Sequence, residues 1–117
     1  MFHTNYMDAR SAFRERSADA GATLHAWEVI PPETPDSEGL TIDAAVFGDG
    51  PKALVISSGL HGVEGFAGSA VQLDFLRQGL PDDMRVVLLH AVYPFGMSQS
   101  RRVNESNVDL NRNFLAE

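Results

Sequence analysis

Apolar positions in the first part of the chain predict one helix followed by two strands. Residues 6–20 carry apolar side chains at helical spacing, and Gly21 is a typical helix stop. Residues 23–30 and 40–47 alternate between apolar and polar side chains, which predicts strands that can pair as a hairpin. A segment rich in proline and glycine separates them and is predicted to be a loop.

The following residues predict a strand–helix–strand unit. Ala53–Ile56 is apolar at successive positions, which is typical of a strand buried on both faces. An amphipathic helix is predicted over residues 64–78, and residues 84–92 form the most apolar strand candidate. The helix should make a right-handed crossover. We therefore expect Leu54–Ser58 and Arg85–Ala91 to be neighbouring parallel strands in the middle of a mixed sheet.

Composition limits the classes of function that the chain can have. Its 117 residues suffice for one small domain, with 44% hydrophobic and 21% charged residues. A net charge of −7 argues against a nucleic-acid partner or a membrane partner. The sequence has no cysteine, which excludes disulfides and thiolate metal sites, and no apolar run long enough to span a bilayer. Because no signal peptide is recognisable, we expect a cytoplasmic protein.

The first candidate chemistry lies in residues 53–73, ALVISSGLHGVEGFAGSAVQL. His61 and Glu64 are three residues apart on a glycine-rich turn between the predicted strand and helix, where open α/β sheets bind ligands. Imidazole and carboxylate both suit zinc, and residues three apart on a helical turn lie on one face. Taken alone, the pair is more typical of a surface histidine and a glutamate that favours the helix dipole.

The second candidate chemistry lies in residues 100–114, SRRVNESNVDLNRNF. Apolar periodicity ends here, while arginine and asparagine accumulate. Arginine binds carboxylates through two parallel hydrogen bonds, and an asparagine amide can add a further donor. Because this loop follows a strand of the same sheet, it can form an anion pocket beside His61 and Glu64. Considered by itself, the loop is also compatible with a solvated polar segment.

Together the two stretches resemble the zinc carboxypeptidase superfamily of carboxypeptidase A-like enzymes. That superfamily has H-x-x-E after a buried strand and N-R in a D-x-N-R context some tens of residues later. Here the matching residues are His61, Glu64 and Asp109–Arg112. The strings SGLHGVEGFAGSA and RRVNESNVDLNRNF look closest to an uncharacterised bacterial branch of carboxypeptidase-like proteins. The likeness covers about residues 53–114, and two motifs in the right order are more specific than either alone.

The resemblance implies an α/β fold with a mixed, mostly parallel open sheet and flanking helices. It implies zinc as the cofactor, with His61 and Glu64 as two of its ligands. Asn111 and Arg112 resemble the pair that binds the free carboxylate of a substrate. The implied activity is that of a metallopeptidase, a hydrolase that cleaves an amide bond next to a free carboxylate. The substrate is then a small peptide or, in the aspartoacylase-like alternative, an N-acyl amino acid.

Some parts of the family's site are ambiguous or missing in this sequence. Arg101 or Arg102 resembles the catalytic arginine that polarises the scissile carbonyl, and the spacing to Asp109 does not decide between them. The branch usually has N-P-x-G after the second buried strand, where this chain has residues 93–96, YPFG. The family's third zinc ligand and its catalytic glutamate lie well downstream of N-R. His90 is the one spare histidine considered as a ligand, and a half-buried strand-end side chain is the favoured interpretation.

We therefore expect residues 1–117 to be a single partial α/β domain, the amino-terminal portion of a zinc carboxypeptidase-like catalytic domain. With two of three metal ligands and no general base, the chain alone should bind zinc weakly and be inactive. An uncovered sheet edge should make it a homo-oligomer or leave it only marginally stable. A relative that binds anions but has lost the metal and catalysis is the alternative from another class.

Overall fold

The computed structural model describes residues 2–113, so Phe114 of the second motif lies outside the described residues. In chain order these residues form α1 (Tyr6–Asp19), β1 (Thr23–Ile30), β2 (Leu40–Phe47), β3 (Ala53–Ser57), a first 3-10 turn (Gly62–Glu64), α2 (Gly65–Gln78), β4 (Arg85–His90), α3 (Pro94–Ser98) and a second 3-10 turn (Leu110–Arg112). The predicted helices and strands all form, and their ends differ from the predicted ones by two residues or fewer. No helix within the described range is both long and apolar enough to cross a membrane.

The four strands form one open sheet in the order β1-β2-β4-β3. β1 pairs with β2, and β2 with β4, in antiparallel orientation. β3 and β4 run parallel and are joined by α2, as the strand–helix–strand pattern predicted. The predicted fold class, α/β with a mixed open sheet and flanking helices, is confirmed. The sheet is not mostly parallel over the residues described, because two of its three strand pairings there are antiparallel.

Helices α1 and α2 pack against each other and against one face of the sheet. Between the helices and this face lies a cluster of buried apolar side chains from α1, β2 and β4: Phe13, Ala45, Phe47, Val86 and Leu88. The strand members alternate along β2 and β4, so each strand turns one face towards the helices. Removing these side chains from water is the main force that holds the helices on the sheet.

β3 lies at the edge of the described sheet, which contradicts the prediction of a central strand buried on both faces. β4 is its one neighbour among the strands described. Val55 is 57% exposed and Leu54 is 36% exposed, while Ile56 packs against the core. An apolar run predicts a strand, but it carries no information about how many strands lie beside it. The prediction was therefore right about the parallel pairing and wrong about burial.

The sheet face opposite the helices carries the single tryptophan of the sequence. Trp27 of β1 pairs with Ile42 of β2. Ile42 and its neighbour Asp43 point to opposite faces of the sheet, and Asp43 contacts Arg14 of α1. Trp27 therefore lies on the face away from α1, where it is 54% exposed and stacks on His25 with ring centroids 6.1 Å apart.

Candidate metal centre

The turn that carries the H-x-x-E pair begins directly after β3. Gly59 has a φ of +72°, a conformation that residues with a side chain rarely adopt. A Cβ on Gly59 would also lie 3.1 Å from the Cα of Ala91, so the chain that follows β4 passes close by. His61 immediately precedes the first 3-10 turn, and Glu64 is the last residue of that turn. Both side chains therefore project from the same backbone turn, and α2 begins directly after that turn.

Gly62 of this turn and Gly96 of α3 let the two segments pack closely. Backbone hydrogen bonds connect the same turn to the arginine-rich loop. A Cβ on Gly62 would lie 2.2 Å from the carbonyl carbon of Gly96, which leaves no room for a side chain. The N–H of Val63 donates to the carbonyl of Arg101 at 2.8 Å, and the N–H of Gly62 donates to the carbonyl of Arg102 at 3.3 Å. Backbone contacts thus bring the two sequence motifs together.

His61 lies between two carboxylates. Its Nδ1 is 3.3 Å from Oε2 of Glu64, and its Nε2 is 3.2 Å from Oδ1 of Asp109, a residue 48 positions later. Asp109 also accepts hydrogen bonds from Nε of Arg102 at 2.9 Å and from the N–H of Asn111 at 3.0 Å. The side chains of His61 and Asp109 are 13% and 14% exposed, whereas that of Glu64 is 71% exposed. One end of the network is therefore open to solvent.

The charge on Asp109 determines which ring nitrogen of His61 carries the hydrogen. Partial burial acts to raise the pKa of Asp109. Hydrogen bonds from Arg102, the Asn111 N–H and His61 outweigh this effect and leave the pKa below its ordinary value. Asp109 is therefore an anion at neutral pH, and a carboxylate only accepts hydrogen bonds. Nε2 of His61 must then donate to Asp109. In neutral imidazole this leaves the lone pair on Nδ1, facing the Glu64 carboxylate.

A lone pair on Nδ1 and the carboxylate that faces it can both ligate one cation between them. Two ligand atoms of a tetrahedral zinc ion, each about 2.0–2.1 Å from the metal, are roughly 3.3 Å apart. Nδ1 of His61 and Oε2 of Glu64 are 3.3 Å apart, so this pair fits two positions of such a site. Asp109 has the position of an outer carboxylate that orients a ligating histidine. Among residues 2–113, no group of three or more histidine, aspartate and glutamate side chains could hold a metal ion.

The remaining residues of the predicted site fall into two groups. Arg102 reaches the network through Asp109, with its side chain 53% exposed. Arg101 is exposed, and its side chain makes no hydrogen bond to the described residues. Asn111 and Arg112 lie exposed on the second 3-10 turn, next to Asp109. The structure thus places Arg102 nearer to His61 in the network, and the binding roles of Asn111 and Arg112 remain predictions.

His90 is in the core and not in this network. Its ring is fully buried and stacks on Phe13 with centroids 4.7 Å apart, and its Nε2 is 3.1 Å from the hydroxyl oxygen of Ser69. Burial lowers the pKa of His90 to about 4, with a smaller opposing effect from Asp43. The expected strand-end position was right, because β4 ends at His90. The expected half-burial was wrong, because His90 points to the helix-covered face of β4.

A family described as "Protein of unknown function (DUF2817)" matches residues 2–117. The chain belongs to this family. No curated protein matches the sequence.

The fold of this DUF2817 chain is similar to that of a solved structure described as bovine thrombin-activatable fibrinolysis inhibitor in complex with tick carboxypeptidase inhibitor. The TM-score is 0.52 and the sequences are 14% identical, over 100% of this chain and 44% of that chain. At this identity the likeness supports the predicted carboxypeptidase-like fold and nothing finer. The DUF2817 chain spans less than half the length of the chain that it matches.

Sequence reasoning on the DUF2817 chain missed the contacts of Asp109. In the sequence Asp109 is part of the D-L-N-R string, and the resemblance implies no separate role for it. Its separation of 48 residues from His61 means that no local periodicity relates the two. The available signal was chemical, since metal-binding histidines commonly donate their second nitrogen to a carboxylate.

Proposed function

We propose that this DUF2817 chain carries part of the site of a zinc-dependent hydrolase of the carboxypeptidase type. Nδ1 of His61 and Oε2 of Glu64 are the two metal ligands in this proposal. The observation that carries it is the 3.3 Å approach of these two atoms, while Asp109 occupies the other ring nitrogen. Zinc, when bound, lowers the pKa of a coordinated water molecule towards neutrality and polarises a carbonyl.

The arginine loop supplies the substrate side of the proposed site. Nε of Arg102 is bonded to Asp109, which holds the guanidinium beside His61 and leaves its terminal nitrogens for a substrate carbonyl. We therefore favour Arg102 over Arg101 as the polarising residue. Asn111 and Arg112 would bind the free carboxylate, for which the fork of an arginine is suited. A small peptide is the proposed substrate, and an N-acyl amino acid is the alternative.

We further propose that residues 1–117 are the amino-terminal portion of such a catalytic domain. Catalytic zinc sites generally use three protein ligands, and the described residues offer two in one place. The exposed strand β3 presents a sheet edge through which copies of the chain would associate. The isolated chain should consequently bind zinc weakly and show no peptidase activity. A cytoplasmic location remains a prediction from the sequence.

Zinc titration of the wild type and three variants tests the metal site. The wild-type chain should show weak one-to-one binding by calorimetry, and His61→Ala and Glu64→Ala should each abolish it. His25→Ala removes an exposed histidine of β1 and serves as the matched control, with unchanged binding expected. Equal zinc binding by the wild type and the His61→Ala variant would refute the metal site. Carboxylate binding that persists in the absence of any zinc binding would favour the non-catalytic anion-binding alternative.

A further inference from the structure

Tyr93 connects the end of β4 to the turn that carries Asp109. It lies immediately before α3 and is 2% exposed, and its hydroxyl accepts a hydrogen bond from the N–H of Leu110. Leu110 is the first residue of the second 3-10 turn and follows Asp109 directly. Tyr93 is also where this chain departs from the N-P-x-G pattern of the branch it resembles.

Asp109 needs an anchor of this kind because the loop around it is irregular. Residues 99–109 contain neither α-helix nor strand, and Ser100 and Asn107 have positive φ angles. Arg102 bonds to Asp109, but it belongs to the same loop. Within the described residues, the hydrogen bonds that reach residues 109 and 110 from outside residues 99–113 come from His61 and Tyr93. Asp109 cannot orient His61 if His61 is its one external support.

We propose that Tyr93 is a positioning residue for the candidate metal centre. Its hydroxyl fixes the backbone of Leu110, which places Oδ1 of Asp109 where Nε2 of His61 donates to it. The hydrogen bond then turns Nδ1 of His61 towards Glu64. The metal-binding consequence rests on the proposed function, whereas the His61–Asp109 bond itself requires no metal.

The test compares Tyr93→Phe with Tyr6→Phe as a matched control. The hydroxyl of Tyr6 is equally buried and also bonds to backbone, accepting from the N–H and donating to the carbonyl of Thr41, both at 2.8 Å. The first readout is the ¹⁵N chemical shifts of the His61 ring in the metal-free chain at one fixed neutral pH. Tyr93→Phe should move these shifts towards the values of a solvent-exposed imidazole, and Tyr6→Phe should leave them unchanged.

The second readout is zinc affinity. Loss of a partner that orients a metal ligand costs about 10- to 100-fold in affinity, so Tyr93→Phe should weaken zinc binding by about tenfold. If Tyr93 acts through Asp109, the same substitution should have no further effect on affinity in an Asp109→Asn background. Fully additive effects of the two substitutions would refute this route.

A second variant removes the same hydrogen bond from the donor side. Leu110→Pro deletes the N–H at the first residue of the 3-10 turn, a position that tolerates proline, and the Leu110 side chain is 47% exposed. It should reproduce the ring shifts of Tyr93→Phe. Wild-type His61 signals in both variants would overturn the proposal. If the signals move but wild-type chain binds no zinc, the positioning role stands and the proposed function fails. If zinc binds and neither readout changes, the positioning role alone fails.

Discussion

His90 should make the stability of the chain fall as the pH is lowered from about 6.5 to about 4. Burial disfavours the charged imidazole and lowers the pKa of His90 from 6.5 to about 4. Asp43, in register on β2, opposes this effect, while Arg10 and Arg14 of α1 reinforce it. The unfolded chain therefore takes up a proton at this residue before the folded chain does. The stabilising contribution is complete above pH 6.5, and its loss is complete once the pH has fallen below the folded-state pKa of about 4.

The size of the effect follows from the two pKa values. Each pKa unit is worth about 1.4 kcal/mol, so the fall from 6.5 to about 4 corresponds to about 3 kcal/mol. A chain of 117 residues has a typical unfolding free energy on the order of 6–17 kcal/mol. Protonation of this one buried ring would thus remove a substantial part of the total stability.

Urea unfolding followed by far-ultraviolet circular dichroism at a series of pH values measures this contribution. The His90→Asn variant will differ from wild type in absolute stability, so the informative quantity is the slope of unfolding free energy against pH. Between pH 6.5 and 4 the wild-type slope should be the steeper of the two, by up to about 1.4 kcal/mol per pH unit. His25→Asn, at an exposed histidine, should keep the wild-type slope. Identical slopes for wild type and His90→Asn would refute the assignment of a neutral buried ring.

Three further predictions concern packing, charge and association. Gly62→Ala forces a Cβ against the backbone of α3 and should cost about 1–3 kcal/mol in urea unfolding and weaken zinc binding in calorimetry; wild-type values for both would contradict the tight contact. Arg14→Ala leaves the buried carboxylate of Asp43 without its ion-pair partner and should destabilise the chain by about 3 kcal/mol, whereas Arg77→Ala in an exposed pair should change little. Val55→Lys places a charge on exposed β3 and should shift the mass measured by sedimentation towards the monomer, which an unchanged mass would rule out.

Local patterns predicted the elements of this fold well because the forces behind them act over a few residues. Alternation along Leu40–Phe47 predicted β2 with its bounds, since one face of that strand is buried under helices. The apolar run Ala53–Ile56 predicted β3 but not its edge position, which depends on whether another strand lies alongside. No local pattern predicted the short helix α3 at residues 94–98.

The candidate site was predictable only in part, because its geometry depends on contacts between distant residues. The H-x-x-E spacing suggested one face of a helical turn, and His61 and Glu64 do approach each other. That turn is held by backbone hydrogen bonds to the carbonyl groups of Arg101 and Arg102. No local sequence pattern predicts these bonds. The choice between those two arginines likewise required the contact of Arg102 with Asp109.

The exposed position of Trp27 has a consequence for optical measurements. As the single indole, already 54% in water in the folded chain, it should emit at long wavelength before any denaturant is added. Unfolding of the helix-covered core should therefore change the emission maximum little. A shift to shorter wavelength would instead signal that something has covered the sheet face opposite α1 and α2. The wavelength of tryptophan emission in this chain thus reports contact at that face. It should be largely insensitive to changes at the candidate metal centre.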